Sequence, residues 1–182
     1  MSDTQDPLAP LREQIPRLRE WISRTLAVHA AAARPTLSAG FQRLPLSFPG
    51  PMGANLLESA RFVVVDRVPK PPLASWGLEE FKGFEEMPSD AITYGNTYFI
   101  TPAAATDEAT HVHELVHVVQ WQVLGFENFV LSYAVGLRTC GYYDNPLESM
   151  AYFLQLRFTA GQDNNVGAIA YSQIGFMYGR KT

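Results

Sequence analysis

The segment Thr110-His111-Val112-His113-Glu114-Leu115-Val116-His117 places three imidazoles and a carboxylate within eight residues. His113 and His117 are four apart, so on a helix they lie one turn above each other and both rings reach one metal ion. Glu114 lies beside that pair, positioned to meet a metal-bound water without coordinating the metal itself. Zinc lowers the pKa of such a water from ~15.7 towards ~7, and a nearby carboxylate then takes its proton during attack on a carbonyl. His111, two residues before His113, falls on the opposite face of the helix and cannot share the metal. Composition alone produces HExxH in roughly one such chain in two hundred. The alternative is an amphipathic helix whose histidines hydrogen-bond in a core.

A catalytic zinc site takes three protein ligands and keeps one position open. His29 is the fourth histidine, and the carboxylates downstream are Glu127, Asp144, Glu148 and Asp163. Glu148 stands out because Asn145-Pro146-Leu147-Glu148-Ser149-Met150-Ala151-Tyr152-Phe153 carries no other acid and is nearly all apolar beyond it. A charge buried there is costly without a partner, and a metal is such a partner. Glu148 also stands three past Asn145, where a glutamate caps a helix start. The need of HExxH for a third donor favours the ligand.

These residues require two helices held side by side. Thr106 is expected to cap the first, Asp107 and Glu108 occupy its first turn, and Gly125 ends it. Asn145-Pro146 opens the second, which runs to about Gly161. Upstream, Phe62-Val63-Val64-Val65 reads as a strand, and Ala91 to Thr101 as a strand pair turning at Gly95-Asn96. The spacing of Leu18, Ile22, Leu26 and His29 predicts a helix from Pro16 to before Pro35. Pro45 to Gly53 reads as a loop, Leu56 to Ala60 as a short helical turn and Leu73 to Asp90 as an irregular excursion. The uncharged stretch Asn164 to Gly179 reads as a packed tail. The order is α+β, with a small, partly antiparallel sheet. The N-terminal helix and the proline-rich region are expected to wall one side of the cleft.

The chain has 182 residues, enough for one domain, and 47% of them are hydrophobic. Fourteen basic against eighteen acidic residues, with no Lys/Arg run, leave no footprint for nucleic acid. Cys140 is the only cysteine, so neither an internal disulfide nor a cysteine metal site can form. It reads as a small buried residue. The opening residues lack a basic start followed by an apolar run, and no window reaches the ~18 apolar residues of a membrane span. No membrane association is expected, and the expected location is cytoplasmic, although export by a non-classical route leaves no mark in a sequence.

HELVH on one helix and a glutamate on the next resemble the gluzincin group of zinc metallopeptidases. The strings HELVHVVQ and NPLESMAY are similar to small bacterial zincin-like domains with HELxHVxQ and a later ExxA helix, over residues 91–156. The resemblance implies a zincin-like fold and one Zn²⁺ per chain held by His113, His117 and Glu148. Glu114 would be the general base and later proton donor, acting on a peptide or protein substrate. It also implies that the strand around Tyr98 to Thr101 is the edge along which an extended peptide lies. Two departures stand out. Tyr152 occupies the position, four past the ligand glutamate, where thermolysin-like enzymes carry an acid, and no histidine follows to stabilise an oxyanion. Tyr152 shares a face with Glu148 and is the candidate for that role, with Tyr142 and Tyr143 beside it, although each is also an ordinary packing aromatic. These departures motivate a rival reading: a zincin-fold binding, cargo or toxin-associated module with little or no peptidase activity.

Overall fold

The computed structural model describes residues 8–162 and 165–179, so Asp163 and the start of the 164–179 tail lie outside the described residues. Its architecture is α+β: five long helices, α1 (Ala9–His29), α2 (Gly50–Ser59), α3 (Glu108–Cys140), α4 (Pro146–Thr159) and α5 (Val166–Met177), with one small sheet. The strands are β1 (Arg34–Pro35), β2 (Arg61–Val64), β3 (Ala91–Tyr94) and β4 (Thr97–Ile100), in the order β1-β2-β4-β3. β2 runs parallel to β4, and the other two pairings are antiparallel. The hairpin turns at Gly95-Asn96 as expected, pairing Thr93 with Tyr98.

α3 crosses the middle of the molecule, and every residue from His111 to Trp121 is buried. Such a helix needs partners on all sides. The sheet supplies Phe99 and Ile100, α4 supplies Leu147, Ala151 and Leu154, and α5 supplies Val166, Ala170 and Ile174 to the same core. Among the described residues, no helix is long and apolar enough to cross a membrane.

Several expectations need correction. α1 begins at Ala9, and Pro16 lies inside it. Proline there forfeits one backbone hydrogen bond, but the buried stripe Leu11, Ile15, Leu18, Ile22 continues across it and its packing outweighs that loss. The cap of α3 is Asp107, whose carboxylate accepts from the amides of Ala109 and Thr110. The Thr106 hydroxyl instead donates to the Ala103 carbonyl. Gly125, at φ 74° and ψ 171°, breaks the helix as expected, but the chain resumes helical geometry and continues to Cys140. The positive φ suits glycine alone. The short turn expected at Leu56 is the end of a ten-residue helix. Cys140 is exposed. β4, which holds Tyr98 to Ile100, is interior to the sheet, so the edge on that side is β3. Pairing with both β2 and β3 occupies both sides of β4.

Candidate metal centre

α3 presents His113 and His117 one turn apart, and their Nε2 atoms lie 3.1 Å from each other. α4 brings Glu148 against them from the opposite wall. Its Oε2 lies 3.4 Å from Nε2 of His113, and its Oε1 lies 3.4 Å from Nε2 of His117. All three side chains are buried, and ligand atoms of the three fall within 4.8 Å of one another. Oε2 of Glu148 is buried without a hydrogen-bond partner, an arrangement that native interiors rarely tolerate. The donor set and the orphaned oxygen fit a metal ion.

The neighbours of this trio set its orientation. The Nδ1–H of His117 donates to Oε1 of Gln120 at 2.8 Å, while the Gln120 amide donates to the Leu147 carbonyl at 2.9 Å. That second bond fixes which end of the amide faces the ring. The Nδ1–H of His113 likewise donates to Oε1 of Gln155 at 3.1 Å. With the proton of each ring held at Nδ1, both Nε2 lone pairs point into the centre. Tyr133 donates to Oε1 of Glu148 at 2.6 Å. The N-terminus of α4 is held by Asn145, which caps Leu147 and donates to the Tyr133 carbonyl. It packs on Gly136, where an added Cβ would lie 2.5 Å from Oδ1 of Asn145.

Burial pushes the His117 imidazolium down, but the Glu148 carboxylate, with smaller contributions from Glu114 and Gln120, outweighs it and raises the ring to about 9. Burial pushes Glu148 up, and the facing imidazoles outweigh that and hold it well below the usual carboxylate range. Without a metal, the centre therefore pairs a protonated His117 with the Glu148 carboxylate.

Glu114, also buried, accepts at Oε2 from the Thr93 hydroxyl of β3 at 2.6 Å. Trp121 donates to the Thr93 carbonyl at 3.2 Å, tying the edge strand to α3. Tyr152 stacks edge-on against His113, with ring centroids 4.6 Å apart, and shares a groove with Tyr142. Together with Ser89, Asp90 and Ala91, these tyrosines line a polar groove of about 230 Å³ beside His113 and Glu114. Tyr143 also lines the groove and is largely exposed.

The structure thus brings His113, Glu114, His117, Glu148 and Tyr152 to one place, with Tyr142 and Tyr143 along the adjoining groove, and leaves Glu127, Asp144, His29 and His111 outside it. Glu127 pairs with Arg12 at the surface, and Asp144 is exposed. His29 donates to the Thr25 carbonyl, and its ring contacts Phe99. His111 donates from Nε2 to the Ala105 carbonyl and accepts from Tyr98 at 2.7 Å, a structural role on the opposite face. Burial lowers its pKa and keeps the ring neutral. Sequence reasoning missed Thr93, Tyr133 and Gln155, and gave Gln120 no role.

Compared with known protein families, with curated proteins and with solved structures, the chain matches none.

Proposed function

We propose that this protein is a zinc-dependent peptidase of zincin-like fold, with His113, His117 and Glu148 as the metal ligands. The observation carrying the reading is the spacing of the three donor atoms. Two ligands at ~2.05 Å from a tetrahedral ion stand roughly 3.3 Å apart; here the two Nε2 atoms are 3.1 Å apart, each lies 3.4 Å from one oxygen of Glu148 (Oε2 for His113, Oε1 for His117), and one ligand atom from each residue falls within 4.8 Å of the others. Two histidines and a glutamate form one of the common catalytic zinc sets.

Zinc in that position supplies a Lewis acid that polarises a carbonyl and makes water nucleophilic at neutral pH. The chain supplies the rest. Glu114 takes the proton of the attacking water and returns it to the leaving amine. Thr93 holds its Oε2, and among the described residues no hydrogen bond engages Oε1, which is the oxygen open to that proton. The peptide lies in the polar groove beside β3, running past Ala91 and Tyr143. The Thr93 carbonyl on that edge is already taken by Trp121, so pairing with the substrate is confined to the start of the strand. Tyr152 faces the same groove and donates to the oxyanion.

Replacing Glu114 with Gln tests the mechanism. The variant keeps its zinc and loses hydrolysis of a broad peptide library by about 10²-fold or more. Equal cleavage by parent and variant contradicts the assignment. Absence of any chelator-sensitive cleavage by the zinc-loaded parent leaves a metal-holding binding module instead.

A further inference from the structure

Lys70 spends its charge on main-chain carbonyls. It stands in the run Pro69-Lys70-Pro71-Pro72, where three prolines restrict the backbone. The Tyr94 hydroxyl of β3 donates to the Pro69 carbonyl at 2.8 Å and ties the run to the sheet. From there the Lys70 ammonium donates to the Phe84 carbonyl at 2.8 Å and to the Met87 carbonyl. Glu85, Glu86 and Asp90 line a groove with it, yet among the described residues Lys70 forms no ion pair. Burial and the nearby Arg67 lower its pKa, so the charge is held here at a cost, which the two carbonyls offset.

What the ammonium holds lies against the metal centre on two sides. Phe84 carries its ring under Nζ, 4.9 Å from the centroid, and meets the Tyr133 ring edge-on with centroids 6.0 Å apart. Tyr133 is the donor to Oε1 of Glu148. Met87 begins the rim Met87-Pro88-Ser89-Asp90 of the polar groove that contains His113 and Glu114. The Ala74 amide donates to the Glu85 carboxylate, and the Thr101 amide donates to the Asp90 carbonyl at 2.8 Å. Met87 lies between those two anchors. A lysine ammonium has three donors and no acceptor, so one group can serve both carbonyls while facing the ring.

We infer that Lys70 is a positioning residue for the metal centre: it seats Phe84 against Tyr133, so that the Tyr133 hydroxyl meets Glu148, and it fixes the rim of the groove at Met87. The inference rests on the metal-site and peptidase reading above. Lys70 acts only through its neighbours and touches neither a metal ligand nor the reacting atoms. A lysine that merely ties one loop to another would leave Tyr133 unaffected when removed.

The test compares Lys70→Met, which keeps the stem and removes the donors, with Lys70→Arg, which keeps both charge and donors. In metal-free protein labelled with ¹³C-tyrosine, the Cζ resonance of Tyr133 is identified by its loss in Tyr133→Phe. It moves in Lys70→Met and stays at the parent position in Lys70→Arg. Zinc affinity, read by chelator competition, falls about threefold to tenfold in Lys70→Met. In a Tyr133→Phe background the same change has no further effect on zinc, because the path it acts through is already cut. With a peptide that the zinc-loaded parent cleaves, Lys70→Met raises KM more than it lowers kcat, since the rim meets substrate away from the reacting atoms.

A Tyr133 resonance and a zinc affinity both unchanged in Lys70→Met overturn the assignment. So does an equal loss of zinc affinity with and without the Tyr133 hydroxyl, or an arginine variant as damaged as the methionine one. A moved resonance and weakened zinc binding, in a parent that cleaves no peptide, keep the positioning role and remove the peptidase.

Discussion

Tyr133 reaches from the part of α3 beyond Gly125 to donate a 2.6 Å hydrogen bond to Oε1 of Glu148, fifteen residues on and in the next helix. The bond places the carboxylate against the two imidazoles before any metal arrives. It also uses a lone pair that would otherwise rotate freely. Removing the hydroxyl in Tyr133→Phe keeps the ring stacked on Phe129. Zinc affinity, measured by competition with a chromogenic chelator, is expected to fall about 10–100-fold with little change in unfolding temperature. An unchanged affinity would show that the hydroxyl does not position the ligand.

Gln120 joins His117 to the Leu147 carbonyl, and so couples the metal-site helix to the start of the glutamate helix. In Gln120→Leu, the Nδ1–H of His117 is left buried and unpaired and the Leu147 carbonyl loses its second donor, at a cost of ~1–3 kcal/mol. Chemical denaturation of the metal-free protein checks this directly. Gln120→Glu restores an acceptor for the ring and is expected to recover zinc binding more than stability, since a carboxylate cannot donate to the Leu147 carbonyl and the link between the helices stays broken.

Gly136 bears on the site without touching it. A methyl group there meets Oδ1 and Cγ of Asn145 at 2.5 and 2.6 Å. Asn145 is pinned by its own bonds to Leu147 and Tyr133 and has no room to retreat. Gly136→Ala is expected to destabilise the chain by ~1–3 kcal/mol and to weaken zinc binding by moving Glu148. Gly83, in the single helical turn 82–86 with nothing within 4 Å of an added Cβ, is the control. There alanine is expected to be neutral or slightly stabilising. Equal effects at the two positions would contradict the packing account.

Acid and base act on the metal-free centre with opposite signs. His117 is raised from 6.5 to about 9, so it contributes stability that is complete below pH 6.5 and lost as the pH rises through 9. Glu148 is lowered from 4.5, so its contribution is present above that value and lost as the pH falls. The chelated protein should therefore be most stable between these limits. Zinc displaces the His117 proton, so the rise in unfolding temperature on adding zinc is expected to be larger at about pH 8 than at about pH 6. A zinc effect that shrinks over that interval contradicts the assignment of His117.

The extent to which this site could be read from sequence follows from the distances along the chain. His113 and His117 announce themselves because a helix converts four-residue spacing into contact. Glu148 was visible as a lone acid on an apolar helix, and the Gly95-Asn96 hairpin as a turn between β-rich runs. Gln120 lay one turn beyond His117, so its spacing signal was present, but its second partner, Leu147, was not. Tyr133 and Thr93 gave no signal, since each meets its carboxylate from a separate element. Gly125 misled for a physical reason: glycine at positive φ usually ends a helix, and here it only redirects one. The edge strand at Tyr98 to Thr101 is an implication of the resemblance alone, and no local pattern encodes the parallel pairing of β4 with β2 that makes it interior.

The central claim is that His113, His117 and Glu148 hold one metal ion, and elemental mass spectrometry on the parent chain and on His117→Ala tests it most directly. The account predicts one zinc per chain in the parent and none in the variant. A parent that takes up no metal when zinc is supplied at neutral pH would contradict it, leaving the three residues as a buried, protonated hydrogen-bond cluster.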